Sequence, residues 1–421
     1  MNIKRKDFLK MGALAVTAHS LLGFRSPSNT TAPKQILKNL AADAEPISVA
    51  ERESRINKAQ ELLAKNKMAA LVLDCGTSLE YFTGVRWWPS ERTMVAIIPA
   101  KGSVKYVCPA FEESRFREQV TIGKDVYVWQ EDESPYKVIV HAFKDAGIRS
   151  GTIGIEERLR YFILDGIQKE APYLKYVSGD PVSVECRIIK SPAEIALMQK
   201  ANEITLTAIR SNVEQLKEGI SQGELSSKIM SAQAALGSEP DFALCLFGKD
   251  AAFPHGTKTP STLKQGQIVL MDCGCRVHGY SSDITRTIVY GGEPTARQLF
   301  VWNTEKAAQA AGFAAAKNGS PCGDVDAAAR KVITDAGFGP GYKLPGLPHR
   351  TGHGIGMDGH EWGNALKGNK RLLQPGMCFS IEPMIAIPGE FGIRLEDCVH
   401  MTSEGPEWFS KTSKSLADPF G

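Results

Sequence analysis

Short apolar runs of four or five residues recur through the first half of the chain, with glycine and proline between them. Runs at 69–73, 94–98, 104–107, 126–129 and 152–155 read as strands, rich in Val, Ile and aromatic residues. The stretch 136–147 has helical spacing. Alternating strands and helices predict an α/β domain over residues 49–184. A new element opens at Ser191-Pro192-Ala193-Glu194. Ser191 suits an N-cap, Pro192 the first helical position, and Glu194 completes a capping box. A long helix is expected from there to about Arg210, with the domain boundary just before it, near Val184. The second domain, 185–421, again mixes helices with strands.

A length of 421 residues is enough for two domains with sizeable cores. Fifty basic residues against 47 acidic ones leave a formal charge of +3, which is no electrostatic footprint for nucleic acid. The first residues read as an export signal over 1–26: a basic stretch from Lys4 to Lys10, then an almost uncharged run from Met11 to Phe24. That run is short for a membrane span, and nothing after it is apolar for long enough to cross a bilayer. Arg5-Lys6-Asp7-Phe8-Leu9 is similar to a twin-arginine signal with Lys6 in the second arginine position, which predicts a periplasmic protein. Residues 27–48, rich in Ser, Thr, Pro and Ala, read as a linker. Nine scattered cysteines lack zinc-site spacing and are expected to be buried and unpaired.

The chemistry lies in the second domain. Residues 267–272 form an apolar run ending in Asp272, and 280–287 carry Asp283. As arms of one hairpin turning near Val277-His278, they would set the two carboxylates face to face, with Cβ atoms about 5 Å apart. Two ionised carboxylates at that distance repel, unless one is protonated or a cation lies between them. Residues 377–382 and 392–396 repeat the pattern around Pro388-Gly389, placing Glu382 opposite Glu396. Between the hairpins stands Thr351-Gly352-His353-Gly354-Ile355-Gly356, where glycines let the backbone crowd a site. Four carboxylates and one imidazole make an oxygen-rich set suited to manganese, cobalt or iron. Two divalent cations balance their charge, and hydrolysis is the natural chemistry. Strand alternation puts Thr285 on the face of Asp283 and Arg394 on that of Glu396, where each could orient a carboxylate.

On these motifs the chain resembles the pita-bread metallopeptidases, which include aminopeptidase P, prolidase and methionine aminopeptidase. The likeness covers about 185–405, and 49–180 resembles the creatinase-type N-terminal domain of the proline-directed members. The resemblance implies an α/β N-terminal domain followed by an α+β pita-bread domain with two pseudo-symmetric halves. It implies that Asp272 binds one metal ion, that Asp283 and Glu396 bridge two, and that His353 and Glu382 hold the second. The ions would be manganese first, with cobalt, zinc or iron as alternatives. Glu382 would also relay a proton. His255 and His360 would be catalytic and, with His349, would face the substrate. The implied activity is cleavage of an Xaa-Pro bond, as an aminopeptidase or a dipeptidase, by a homo-oligomer. A creatinase-like amidinohydrolase or lyase, or a non-catalytic binding protein, are the alternatives on the same fold. Trp87-Trp88 either line a substrate pocket or pack a loop, and His278 is expected to be exposed in its turn.

Overall fold

A computed structural model describes residues 37–421. The export-like segment and the linker as far as residue 36 lie outside the described residues. The rest of the expected linker is not a free tether. Leu37, Leu40, Ala41 and Ala44 pack against the core, and the Leu40 amide donates to the Leu236 carbonyl at 2.8 Å.

The first half of the described chain holds β1 (Ala70–Asp74), β2 (Val95–Pro99), β3 (Lys105–Pro109), β4 (Asp125–Trp129), β5 (Thr152–Ile155) and β6 (Lys175–Ser178). They form one mixed sheet in the order β4-β3-β2-β1-β5-β6, with β1 antiparallel to β2 and parallel to β5. Its helices are α1 (Val49–Lys65), α2 (Thr77–Thr83), α3 (Glu113–Arg117), α4 (Pro135–Asp145), α5 (Tyr161–Glu170) and α6 (Asp180–Arg187). Alternation along the central strands builds two cores. Leu71, Leu73, Ala96 and Ile98 face one, with residues of α1 and α2. Ala70, Val72, Val95 and Ile97 face the other, with residues of α4 and α5. Val184 lies inside α6, so the break in the chain comes later, at 188–191.

The second half begins with α7 (Pro192–Val213), which carries the expected capping box and runs three residues past Arg210. It continues with α8 (Gln222–Ala235), β7 (Glu239–Phe247), β8 (Ile268–Val277), β9 (Tyr280–Ser281) and β10 (Ile284–Val289). Then come α9 (Ala296–Ala315), α10 (Cys322–Asp335), β11 (Gly352–Gly354), β12 (Glu361–Ala365) and β13 (Cys378–Ile381). The last strands are β14 (Met384–Ile387), β15 (Phe391–Arg394), β16 (Asp397–Thr402) and β17 (Gly405–Trp408). One sheet runs β10-β8-β7, another β12-β11-β13-β16-β17, and β14 pairs with β15. This domain is itself built of two similar halves, α7 to β10 and α9 to β17, and each opens with a packed helix pair and closes with strands. The likeness extends to single bonds: the Gly219 amide meets the Leu263 carbonyl at 2.8 Å before α8, and the Gly319 amide meets the Leu373 carbonyl at 2.8 Å before α10. The halves are stitched where Thr285 and Glu396 exchange backbone hydrogen bonds of 3.3 and 3.2 Å. All nine cysteines are free; eight are buried and Cys75 is half-buried.

Candidate metal centre

The first hairpin is in register two residues away from the expected one. Thr285, not Asp283, stands opposite Asp272, and the loop is His278-Gly279. Both loop residues have positive φ, 47° and 86°, so this is the tight two-residue turn that suits strand twist. His278 is exposed there. Asp272 is also not a strand end, because β8 continues to Val277. A shift of two keeps every side chain on its face, so Asp283 still joins Asp272, diagonally. In the second hairpin the register is as expected. Ile381 pairs with Asp397 on one side of the gap and Met384 with Arg394 on the other, which leaves Glu382 opposite Glu396.

Asp272, Asp283, His353, Glu382 and Glu396 converge in one cleft of about 480 Å³. His353 Nε2 lies 3.1 Å from Glu382, 3.6 Å from Asp283 and 3.9 Å from Glu396. Its Nδ1 sits 3.1 Å from the Gly354 carbonyl, a contact for an Nδ1–H, which turns the Nε2 lone pair toward the acids. Ligand atoms of Asp272, Asp283 and Glu396 lie within 4.8 Å of one another, and so do those of His353, Glu382 and Glu396. Glu396 belongs to both sets. A third set joins Asp283 and His353 to His360.

Burial drives the Asp283 and Glu396 carboxyls well above the usual range, and the neighbouring acids push the same way. Glu382 goes the other way: burial opposes its ionisation, yet His353 beside it holds it down to about 2. Asp272 Oδ1, Asp283 Oδ1 and Glu396 Oε1 are buried with no hydrogen-bond donor. Buried carboxylate oxygens without donors are rare, and three converging on one space fit a cation site. The opposite oxygens are held. Thr285 Oγ1 donates to Glu396 Oε2 at 2.6 Å, Arg394 Nε donates to Thr285 Oγ1 at 3.0 Å, and Arg394 Nη2 donates to Asp272 Oδ2. Thr285 thus serves Glu396 across the halves, and Arg394 serves both carboxylate pairs. Ser380, which the sequence reading missed, donates to Glu382 at 3.2 Å and accepts the His353 amide at 3.0 Å.

His255 and His360 line the same cleft and are exposed. The His360 ring lies 4.1 Å from that of His353, and its pKa is lowered to about 4, first by desolvation and then by His353. His349 is half-buried close to Glu382, Arg394 and His255. Its Nδ1 lies 2.7 Å from the Arg350 carbonyl, its Nε2 is buried without a partner, and burial lowers its pKa.

A second group escaped the sequence reading. Arg187 is 1% exposed and reaches Asp358 at 2.7 Å and Glu361 at 2.6 Å, while Lys190 reaches Glu361 at 2.8 Å. Thr77 and Arg158 add hydrogen bonds of 2.7 and 2.9 Å to Asp358. These contacts tie the loop that carries His360 to the first half of the chain. The available signal was a pair of cations, Arg187 and Lys190, flanking the apolar Ile188-Ile189.

Comparison with known proteins agrees with this picture. Residues 196–403 match metallopeptidase family M24, and residues 55–189 match the creatinase/prolidase N-terminal domain. The Xaa-Pro dipeptidase of Lactobacillus delbrueckii subsp. lactis is 32% identical, over 86% of this chain and 98% of that protein. An uncharacterized peptidase of Schizosaccharomyces pombe is 36% identical, over 84% of this chain and 81% of its own. Among solved structures, a recombinant prolidase from Thermococcus sibiricus superimposes with a TM-score of 0.78 at 30% identity, covering 86% of this chain and 97% of that one. A dipeptidase from Mycobacterium ulcerans gives 0.81 at 29% identity, covering 88% and 99%. With its acids, histidines and two domains in this arrangement, the chain belongs to metallopeptidase family M24, whose members are dinuclear enzymes of divalent metals.

Proposed function

We propose that this chain is an Xaa-Pro peptidase, with Asp272, Asp283 and Glu396 holding one metal ion and His353, Glu382 and Glu396 the other. Asp283, whose carboxylate also lies 3.6 Å from His353, would help to hold both ions. The observation that carries this reading is the trio of donor-less buried oxygens on Asp272, Asp283 and Glu396. Without cations those acids would face one another unsatisfied, so a metal-free hydrolase or a binding protein is not favoured. The hard donor set supports manganese. Two such cations would supply a water acidified toward neutrality and a Lewis acid for the carbonyl.

The chain's own residues do the rest. Glu382, beside His353, takes the proton of the attacking water as its oxygen bonds to the carbonyl carbon. His360 and His255 donate to the carbonyl oxygen as negative charge builds there. With its pKa near 4, His360 is neutral at pH 7 and donates as an imidazole N–H. Glu382 returns the proton to the proline nitrogen as the C–N bond breaks, giving a carboxylic acid and a secondary amine, which exchange the remaining proton to leave as carboxylate and ammonium. Phe242 and Leu244 form the apolar wall of the cleft. Proline brings no N–H to such a wall, whereas an alanine amide left unpaired there costs about 1–3 kcal/mol. Ala-Pro should therefore exceed Ala-Ala in kcat/KM by roughly tenfold to a hundredfold. Equal rates on the manganese-loaded protein would defeat the proline assignment and leave the metallohydrolase standing.

The division into a creatinase-type domain and a catalytic domain, meeting at 188–191 and not at the expected 184/185, belongs to the same reading, as does a homo-oligomeric enzyme. So does export to the periplasm, supported by the basic stretch from Lys4 to Lys10 and the apolar run after it. No helix among the described residues is long and apolar enough to cross a membrane. Fractionation of cells expressing the full chain checks export: processed protein outside the cytoplasm is expected, and unprocessed cytoplasmic protein would refute it.

A further inference from the structure

Behind the proposed metal ligands lies an acid with no partner among the described residues. Glu305, on α9, is 0% exposed, and both of its carboxyl oxygens are buried without a hydrogen bond. Its neighbours on that face of the helix are apolar. Trp302 and Ala308, one turn to either side, share a core with Ile393 and Leu395. An ionised carboxylate left unpaired in such surroundings is too costly, so Glu305 keeps a proton and is neutral. Burial pushes its carboxyl well above the usual range, and the Leu395 amide and the Arg394 guanidinium offset this only in part. Buried acids without partners are rare in native proteins, and each one calls for a reason.

The reason lies in what α9 faces. One turn after Glu305, Gln309 Nε2 donates to Asp397 Oδ2 at 3.0 Å. Arg286 donates to the other oxygen of Asp397 at 2.7 Å and to the Glu396 carbonyl at 3.0 Å. Four helical residues span about 6 Å, and two extended residues span about 6–7 Å. Gln309 at Asp397 therefore sets Glu305 at Leu395, the residue between Arg394 and Glu396, and the Leu395 amide does face Glu305. Alternation turns Leu395 and Asp397 back toward α9, while Arg394 and Glu396 line the metal cleft. Glu305 thus lies against the back of the segment that carries a proposed bridging ligand and the arginine that holds Asp272.

We infer that Glu305 is a positioning residue of the metal centre: as a neutral acid it backs the Arg394–Glu396 segment and leaves the Arg394 guanidinium to Asp272 and Thr285. This rests on the metal assignment proposed above. An ionised carboxylate at this place would draw Arg394 away from Asp272 and Thr285, and it would add to the repulsion on Glu396. A neutral acid does neither, and it still presents a polar group to the backbone that a leucine cannot.

The test uses the full chain and reads manganese binding by calorimetry, a measurement free of turnover. Glu305→Gln copies the shape and polarity of the neutral acid and should hold manganese about as tightly as the parent. Glu305→Leu fills the space without polarity and should weaken manganese binding about tenfold or more, the usual scale for a group that supports a ligand. Glu305→Met, which adapts more easily to its surroundings, takes its place if that chain does not fold. Infrared difference spectra, parent minus Glu305→Gln at neutral pH, should carry the carbonyl stretch of a protonated carboxyl. A carboxylate band in its place, a loss in Glu305→Gln as large as in the apolar variant, or no loss in either would overturn the inference and leave the metal assignment standing. A parent chain that binds no manganese would break the assignment, and the inference with it.

Discussion

The two acid-bearing hairpins solve the same problem differently. In the first, a two-residue His278-Gly279 turn sets the register, and Asp272 and Asp283 meet diagonally. In the second, a wider loop around Gly389 leaves Glu382 and Glu396 directly opposite. Function tolerates either, because a slip of two residues preserves the face while a slip of one would send a carboxylate into the core. The hairpins differ also in how their acids are held. Asp272 and Glu396 each have a donor, from Arg394 and Thr285, whereas the Asp283 carboxylate is buried without one, His353 lying 3.6 Å away. The least supported acid is thus the one that most needs a cation.

That contrast sets the scale of the expected losses. Asp283→Ala should lower activity by more than about a hundredfold, beyond what supporting groups give, and strip metal from a folded protein. Metal analysis and turnover check this, and full occupancy with unchanged rate would break the contrast. Arg394→Met touches both hairpins and should cost more than Thr285→Ala, which should cost roughly 10- to 100-fold, with Thr285→Ser recovering most of it. Equal losses would mean that the hairpins are not joined through Arg394. A pH series sharpens the same point. The carboxyls of Asp283 and Glu396 are raised, so a cation must displace their protons, and affinity should fall as pH falls. Without metal, their contribution to stability is full below about pH 4 and is lost as pH climbs through the raised values. Asp283→Asn should accordingly raise the metal-free Tm by about 2–4 °C near neutral pH, as read by calorimetry. Smallest of all, His360→Asn should slow turnover without moving the acid limb of the rate profile between pH 5 and 7, because His360 is already neutral there.

Much of this was legible in the sequence because it rests on period and chemistry. Five predicted strands and the Ser191 cap appear within a residue or two of their expected places, since alternation and capping are local. The Asp272 register was missed because the turn is centred one residue later than expected, on His278-Gly279 and not on Val277-His278, which moves the pairing by two; positive φ at both residues is the deciding detail. The repeat of Gly219-Ile220-Ser221-Gln222-Gly223 as Gly319-Ser320-Pro321-Cys322-Gly323 was available in the sequence and was passed over. The partners of Arg187 (Asp358 and Glu361) and of Lys190 (Glu361) were not legible, because the cation pair shows in the sequence but its acids stand more than 170 positions away with no periodic sign.

Those ties bear on whether the second half is portable. A fragment cut just before Ser191 would keep Asp272, Asp283, His353, Glu382 and Glu396, every residue proposed to touch metal. It would lose Arg187 and Lys190, and with them Thr77 and Arg158, leaving Asp358 and Glu361 as charges stranded in the wall of the cleft. Breaking one partner from a buried ion pair costs about 3–5 kcal/mol, a large part of a domain's whole margin. The loop bearing His360 would then be free to rearrange. The front half therefore acts as a brace for the catalytic half, and swapping it between relatives would require carrying its four contacting residues along.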